Sequence, residues 1–173
     1  MSEKHLRELI YYGADQVYYV EHPLLEHFLS ESYQQALTHI VQTYAPSIFL
    51  AAATTTGRTI MPYVATNGIV AGLTADCTVL EIDEETGQFL QTRPAIGGNI
   101  LATITTPTAH PQMATVRPKS TKPAARDSLR NGIITSVELP ESLELSSRIR
   151  FEQFVPDTSQ EIPLEEAERV VSG

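Results

Sequence analysis

Apolar residues recur with a helical period in the first third of the chain and with a strand period later. Leu6, Leu9 and Ile10 fall at i, i+3 and i+4, Ser2 is placed to cap the start, and Gly13 to end the helix. "DQVYYV" follows, and its β-branched and aromatic residues predict a strand over Gln16 to Val20. Tyr33, Leu37, Ile40 and Tyr44, with Ala36 and Val41 beside them, form one stripe of a second helix from about Glu31 to Tyr44. Ser30 suits its cap, and Pro46 stops further helix. "SIFLAAA", Ser47 to Ala53, is apolar at every residue after its first. Between helices, such a run predicts a strand covered on both faces, as in a parallel sheet. It leads through "TTTGRT" to a third helix around Ile60 to Thr66.

After Gly72 the period changes. "TVLEI", "QFLQTR", "NILATIT" and "QMATVR" read as short strands, and "DEETG" between the first two predicts a hairpin turn. In "NILATIT", Ile100, Ala102 and Ile104 share one face while Leu101, Thr103 and Thr105 share the other. "IITSVEL" and "IRFEQFV" are two further strand candidates, and "ERVVSG" is a last, short one. The chain is therefore α/β in its first part and strand-rich in its second.

Composition narrows the class. The chain has 173 residues, 42% of them apolar and 19% charged, which suits a single globular domain. No apolar run approaches the roughly 20 residues that span a bilayer, and no signal-peptide start is recognisable, so a cytoplasmic protein is expected. A formal charge of −9 argues against a protein that coats nucleic acid. The charge is uneven. Arg117, Lys119, Lys122, Arg126 and Arg130 stand against Asp127 alone, a local +4 that leaves −13 for the rest of the chain. Roughly Pro118 to Asn131 reads as an exposed basic loop. A solvated loop is the favoured reading, and a basic strap on an acidic partner or a phosphate the alternative.

Candidate chemistry is sparse. His5, His22, His27, His39 and His110 are scattered without a ligand spacing, so structural roles are expected and no metal site. Cys77, the single cysteine, enters an apolar strand and reads as a small buried hydrophobe rather than a nucleophile. "TTTGRT" shares with phosphate loops only its polarity, its glycine and the helix after it. It has neither the glycine spacing nor the lysine of a P-loop. A capping turn explains Thr56 and Gly57 without any ligand, although a strand-to-helix junction is where open α/β sheets bind things. "RPAIGGN" is odder: Pro94 halts a strand, and Gly97, Gly98 and Asn99 permit positive φ or a close backbone approach. No Ser/His/Asp set and no recognisable carboxylate pair accompanies these features.

Several motifs in order carry a resemblance. "GLTADCTVLEIDEETGQFLQTRPAIGGNILATI" followed by "PQMATVRP" closely resembles the N-terminal domain of electron transfer flavoprotein alpha subunits. "AAATTTGRTIMPYVA" is similar to that family's strand-loop-helix, and "AERVVSG" to its stretch entering the flavin domain. The resemblance implies a three-layer α/β/α domain, Rossmann-like and related to adenine nucleotide alpha hydrolases, with a mainly parallel sheet and an antiparallel strand extension. It also implies a beta-subunit partner, electrons taken from acyl-CoA or other dehydrogenases, and FAD held by a C-terminal domain that starts where this chain stops. Residues 1–173 are thus expected to be one N-terminal domain that holds no FAD alone. Family members normally open with a strand, a helix and a further strand before the element matching Glu3 to Tyr12. The first of these strands is normally central, so its absence leaves two neighbouring strands unpaired unless other residues fill the gap or the strands close up. A truncated, partly exposed domain is expected. The family also commonly has a basic residue where Tyr63 stands and an acidic one at Thr59.

From these features the expected role is structural and subunit-contacting, with no catalytic residue. The expected subunit or ligand contacts are Thr56, Gly57 and Arg58, and Arg93 with Gly97, Gly98 and Asn99. The alternative is a small adenine-nucleotide-binding regulatory α/β domain.

Overall fold

The computed structural model describes residues 3–156 together with residues 167, 169 and 171. Helix α1 spans Glu3–Tyr11 and buries Leu6 and Ile10, two of the three residues of the predicted stripe. Gly13, at φ 119°, ends it as expected, with its N–H donating to the Ile10 carbonyl. Strand β1 is Gln16–Tyr19. Helix α2, Ser30–Tyr44, begins one residue earlier than expected. Leu29 is its N-cap, and Ser30 is already inside the helix. Strand β2 is Ile48–Ala52 and helix α3 Thr55–Val64, followed by one π turn over Ala65–Ile69.

Helix α3 differs most from its sequence reading. It starts at Thr55 because Thr54 caps it: the Thr54 hydroxyl accepts the Gly57 N–H at 3.2 Å. Thr56, Gly57 and Arg58 therefore occupy the first helical turn rather than a loop. A Cβ on Gly57 would stand 1.9 Å from the Ala52 carbonyl oxygen, so the residue is glycine because the helix start presses against the end of β2.

The second part is strand-rich, as the pattern predicts. Strands β3 (Leu73–Cys77), β4 (Val79–Ile82), β5 (Phe89–Ala95), β6 (Ile100–Ile104), β7 (Gln112–Val116) and β8 (Ile133–Ser136) follow in order. Three sheets result among the described residues. A parallel sheet has the order β2-β7-β3, a parallel pair joins β1 to β8, and β4-β5-β6 is an antiparallel meander. The fold is mixed α/β with mainly parallel sheets, three helices and an antiparallel extension, consistent with the three-layer expectation. "DEETG" forms the β4–β5 turn, where the Asp83 carboxylate accepts the N–H groups of Glu85 and Thr86. "IRFEQFV" is not a strand. No element of the described chain pairs with it, and alternation without a partner strand leaves the backbone unpaired. Ser2 and most of "ERVVSG" lie outside the described residues.

The main core forms where α3 crosses the parallel sheet: Ile60, Met61, Val64 and Ala65 pack on Met113, with Tyr33, Leu37 and Phe49 around them. Burying a methionine such as Met113 contributes roughly 2 kcal/mol through removal of apolar surface from water. A second cluster, Cys77 with Phe89 and Ala114, welds β5 of the meander onto the parallel sheet. A third, Leu6, Ile10 and Val17, belongs to α1 and β1.

Strands β1 and β2 follow each other through α2, yet they do not pair. Each has one strand neighbour among the described residues, and a cleft of about 790 Å³ opens between α1, β1 and α2. Leu6, Leu9, Val17, Leu37 and Ile40 line it. That opening explains why Tyr33, Leu37 and Ile40 of the predicted α2 stripe are only half-buried, and Leu50 in the middle of β2 is 44% exposed. Among the described residues, no helix is long and apolar enough to cross a membrane.

Candidate functional site

Three chain segments meet at the C-terminal end of the parallel sheet. Strand β2 runs into the α3 cap, with the Ala53 N–H donating to the Val116 carbonyl. Strand β7 ends at Val116, and the next residue, Arg117, donates its N–H to the Cys77 carbonyl. Strand β3 ends in a bulge: Thr74 pairs with Ala114 and Cys77 with Val116, so one extra residue sits on the β3 side. Asp76 lies in that bulge at φ 61°, in the left-handed region, and its N–H donates to the Thr115 hydroxyl at 2.9 Å. Aspartate tolerates this backbone better than most side chains.

The bulge turns the Asp76 carboxylate toward two arginines. Arg117 grips it with both ends of its fork, at 3.2 Å from Nε and 2.6 Å from Nη2. Arg58, from the first turn of α3, stands 3.9 Å away. The bonds from Arg117 hold the Asp76 carboxyl below its ordinary value, against the opposing effect of burial, and the charges of Arg58 and Arg93 act in the same direction. Arg93 arrives from β5. It shares a face of that strand with Phe89 and Gln91, the face packed on Cys77 and Ala114. Its Nε is buried without a hydrogen-bond partner.

Burial pushes the Cys77 thiol up, and nearby Arg93 only partly offsets that. With zero exposure, Cys77 is the small core residue expected. His22 caps a short 3₁₀ turn, its Nδ1 accepting the Leu24 N–H, and His27 stacks on Phe151. Among the described residues, no group of three or more His, Cys, Asp or Glu could hold a metal ion.

Of the residues singled out in the sequence, Thr56, Gly57, Arg58 and Arg93 come together here. Gly97, Gly98 and Asn99 do not. They form the turn between β5 and β6, with Gly97 at φ 69° and Gly98 at φ 80°. No atom lies within 4 Å of a Cβ built on either glycine, so positive φ, not close approach within the chain, explains them. Ile96 beside them is 87% exposed and Leu101 is 65% exposed. Asp76 and Arg117 were not singled out. Their signal was faint: an aspartate interrupting the apolar "LTADCTV", and an arginine counted only as part of a basic stretch.

The basic stretch is exposed over residues 121–130, and two of its arginines pair with the chain's own acidic residues. Arg126 bonds Glu8 of α1 through two contacts of 2.8 Å and lies over the Tyr11 ring, and Arg130 reaches Asp15 and the Gly13 carbonyl. The Arg126 bond lowers the Glu8 carboxyl below its ordinary value. The stretch spends much of its charge on its own chain.

The family profile described as "Electron transfer flavoprotein domain" matches residues 1–142. The chain belongs to the electron transfer flavoprotein family. It is 42% identical over 167 residues to the electron transfer flavoprotein subunit alpha of Thermoanaerobacterium thermosaccharolyticum, covering 96% of this chain and 50% of that protein. It is 50% identical over 112 residues to Protein FixB of Azorhizobium caulinodans, covering 65% of this chain and 30% of that one. A subunit of an Acetobacterium woodii lactate dehydrogenase (NAD(+),ferredoxin), LctC, is 38% identical over 165 residues, covering 95% of this chain and 38% of its own length. The chain spans about half the length of the alpha subunits it matches.

Proposed function

We propose that this chain is the N-terminal structural and subunit-contact domain of an electron transfer flavoprotein alpha subunit. The observation that carries the reading is the alignment of 96% of the chain with half of one alpha subunit. In this reading the parent heterodimer carries electrons from acyl-CoA or other dehydrogenases through FAD. FAD sits in the other half of the alpha subunit, and this chain alone holds none. It contributes no catalytic residue. The adenine-nucleotide regulatory domain is the less favoured alternative, because the relatives are electron transfer flavoprotein subunits and their kin.

The contact to a beta subunit is assigned to the β5–β6 turn. Gly97, Gly98 and Asn99 hold a conformation that projects Ile96, Ile100 and Leu101 into solvent, an apolar tip suited to burial against another protein. The turn is stiffened below by the Thr92–Thr103 hydroxyl bond at 2.8 Å across β5 and β6. Replacing Ile96 and Leu101 together by aspartate is expected to abolish co-purification with an electron transfer flavoprotein beta subunit while leaving the far-ultraviolet circular dichroism unchanged. Undiminished co-purification of that double variant removes the turn from the interface. Failure of the unaltered chain to bind any beta subunit removes the subunit-contact reading itself.

A further inference from the structure

We propose that Arg58, Arg93 and Arg117, with the first turn of α3, form a binding site for a phosphate-type oxyanion at the C-terminal end of the parallel sheet. The proposal is independent of the subunit contact, which is proposed at the β5–β6 turn.

Charge is the first argument. Two guanidinium groups, those of Arg117 and Arg58, stand within 4 Å of one carboxylate, Asp76, and the charge of Arg93 also reaches it, which gathers three positive charges against one negative in a chain whose total is −9. An acidic body that gathers arginines in one place maintains their mutual repulsion, and a dianion relieves it. Asp76 satisfies Arg117 with two bonds but stands 3.9 Å from Arg58, beyond hydrogen-bond reach, so the Arg58 fork is only loosely held. The Arg93 Nε is buried and has no hydrogen-bond partner. Arg58 thus retains donors for an incoming group, and the Arg93 Nε has no partner inside the chain.

Geometry is the second. The arginines come from three different elements, α3, β5 and the end of β7, so their forks approach from separate directions. Separate approaches suit the several oxygens of a tetrahedral anion better than a planar carboxylate. The Thr55 and Thr56 N–H groups add two donors with no acceptor inside the helix, because the Gly57 N–H is taken by the Thr54 hydroxyl and the Arg58 N–H by the Thr54 carbonyl. Gly57 keeps that turn pressed onto β2 and hence level with the strand ends.

The β3 bulge gives Asp76 a specific part. It is the resident anion of the site, held in place by the Thr115 hydroxyl, and it competes with a ligand for Arg117. This predicts an uncommon sign: removing a charged residue from the site strengthens ligand binding. Asparagine tolerates the left-handed backbone at position 76, so Asp76→Asn keeps the bulge.

The test is titration of the chain with inorganic phosphate, AMP and adenosine at matched ionic strength, followed by isothermal calorimetry. Phosphate and AMP are expected to bind and adenosine not. A tighter AMP than phosphate identifies the natural source as a nucleotide, and equal affinities identify free phosphate. Arg58→Ala with Arg93→Ala is expected to weaken phosphate binding about a hundredfold or more, since each charged hydrogen bond lost costs roughly tenfold or more in affinity. Asp76→Asn is expected to tighten it. The Asp76→Asn arm guards against misfolding, because a damaged fold cannot bind more tightly. No phosphate binding by the unaltered chain, adenosine binding as well as AMP, unchanged affinity in the double arginine variant, or weaker binding in a folded Asp76→Asn chain each overturns the proposal.

Discussion

The two parallel sheets are built from similar residues and end up in opposite conditions. In β2-β7-β3, strand β7 has a neighbour on each side, α3 lies across it, and β5 of the meander closes the β3 flank through Phe89 and Cys77. Met61, Val64, Met113 and Ala114 have no exposed surface there. The pair β1-β8 has two strands, one helix and a three-residue core, and its β1 borders the cleft against α1 and α2. Apolar content does not separate them. What separates them is the number of neighbours each strand finds, and hydrogen-bonded neighbours are what exclude water from a sheet.

The largest effects are expected in the closed sheet. Met113→Ala removes a side chain with no exposed surface and is expected to cost about 3 kcal/mol of stability, read from the urea midpoint. Gly57→Ala drives a methyl group onto the Ala52 carbonyl and is expected to cost roughly 2 kcal/mol. If either is neutral, the closed sheet is not what holds the fold. On the open side, Val17→Ala is expected to cost only about 1 kcal/mol and to loosen β1 and β8 without touching β7.

Electrostatic changes are smaller and differ between the two regions. Arg117 keeps the Asp76 carboxyl below its ordinary value, so this pair stabilises the closed sheet at neutral pH. The contribution is fully present above the ordinary aspartate value and is lost as pH falls through the lowered one. Asp76→Asn is therefore expected to flatten the acid limb of the stability curve. An unchanged limb shows that the pair carries no acid sensitivity. On the open side, Arg126→Ala releases the basic stretch from Glu8. Because the pair is exposed, the expected result is a slight loss of midpoint that fades in high salt. A salt-independent loss points instead to the Tyr11 contact.

Local pattern was legible in the sequence and long-range pairing was not. Leu6, Ile10 and Gly13 announced α1, and "DEETG" announced the β4–β5 hairpin, because spacing and turn chemistry are local properties. Nothing in "QMATVR" says that β7 inserts between β2 and β3, since an apolar strand suits any neighbour. "IRFEQFV" has the alternation of a strand and stays unpaired for want of a partner. At the candidate site, Arg58 and Arg93 were found through their unusual backbone surroundings. Asp76 was missed because its importance comes from a bulge, which appears only once β3 and β7 are in register. The ion pairs of the basic stretch were not legible, because its acidic partners, Glu8, Asp15 and Asp76, are distant in sequence.

The contrast between a closed and an open sheet is tested most directly by amide hydrogen exchange of the chain, resolved by residue. Amides of Gln112 to Val116 are expected to exchange slowest, near the rate set by global unfolding. Those of Gln16 to Tyr19 and the unpaired side of Ile48 to Ala52 are expected to exchange much faster, through local opening. Uniformly strong protection across all three strands would contradict the account.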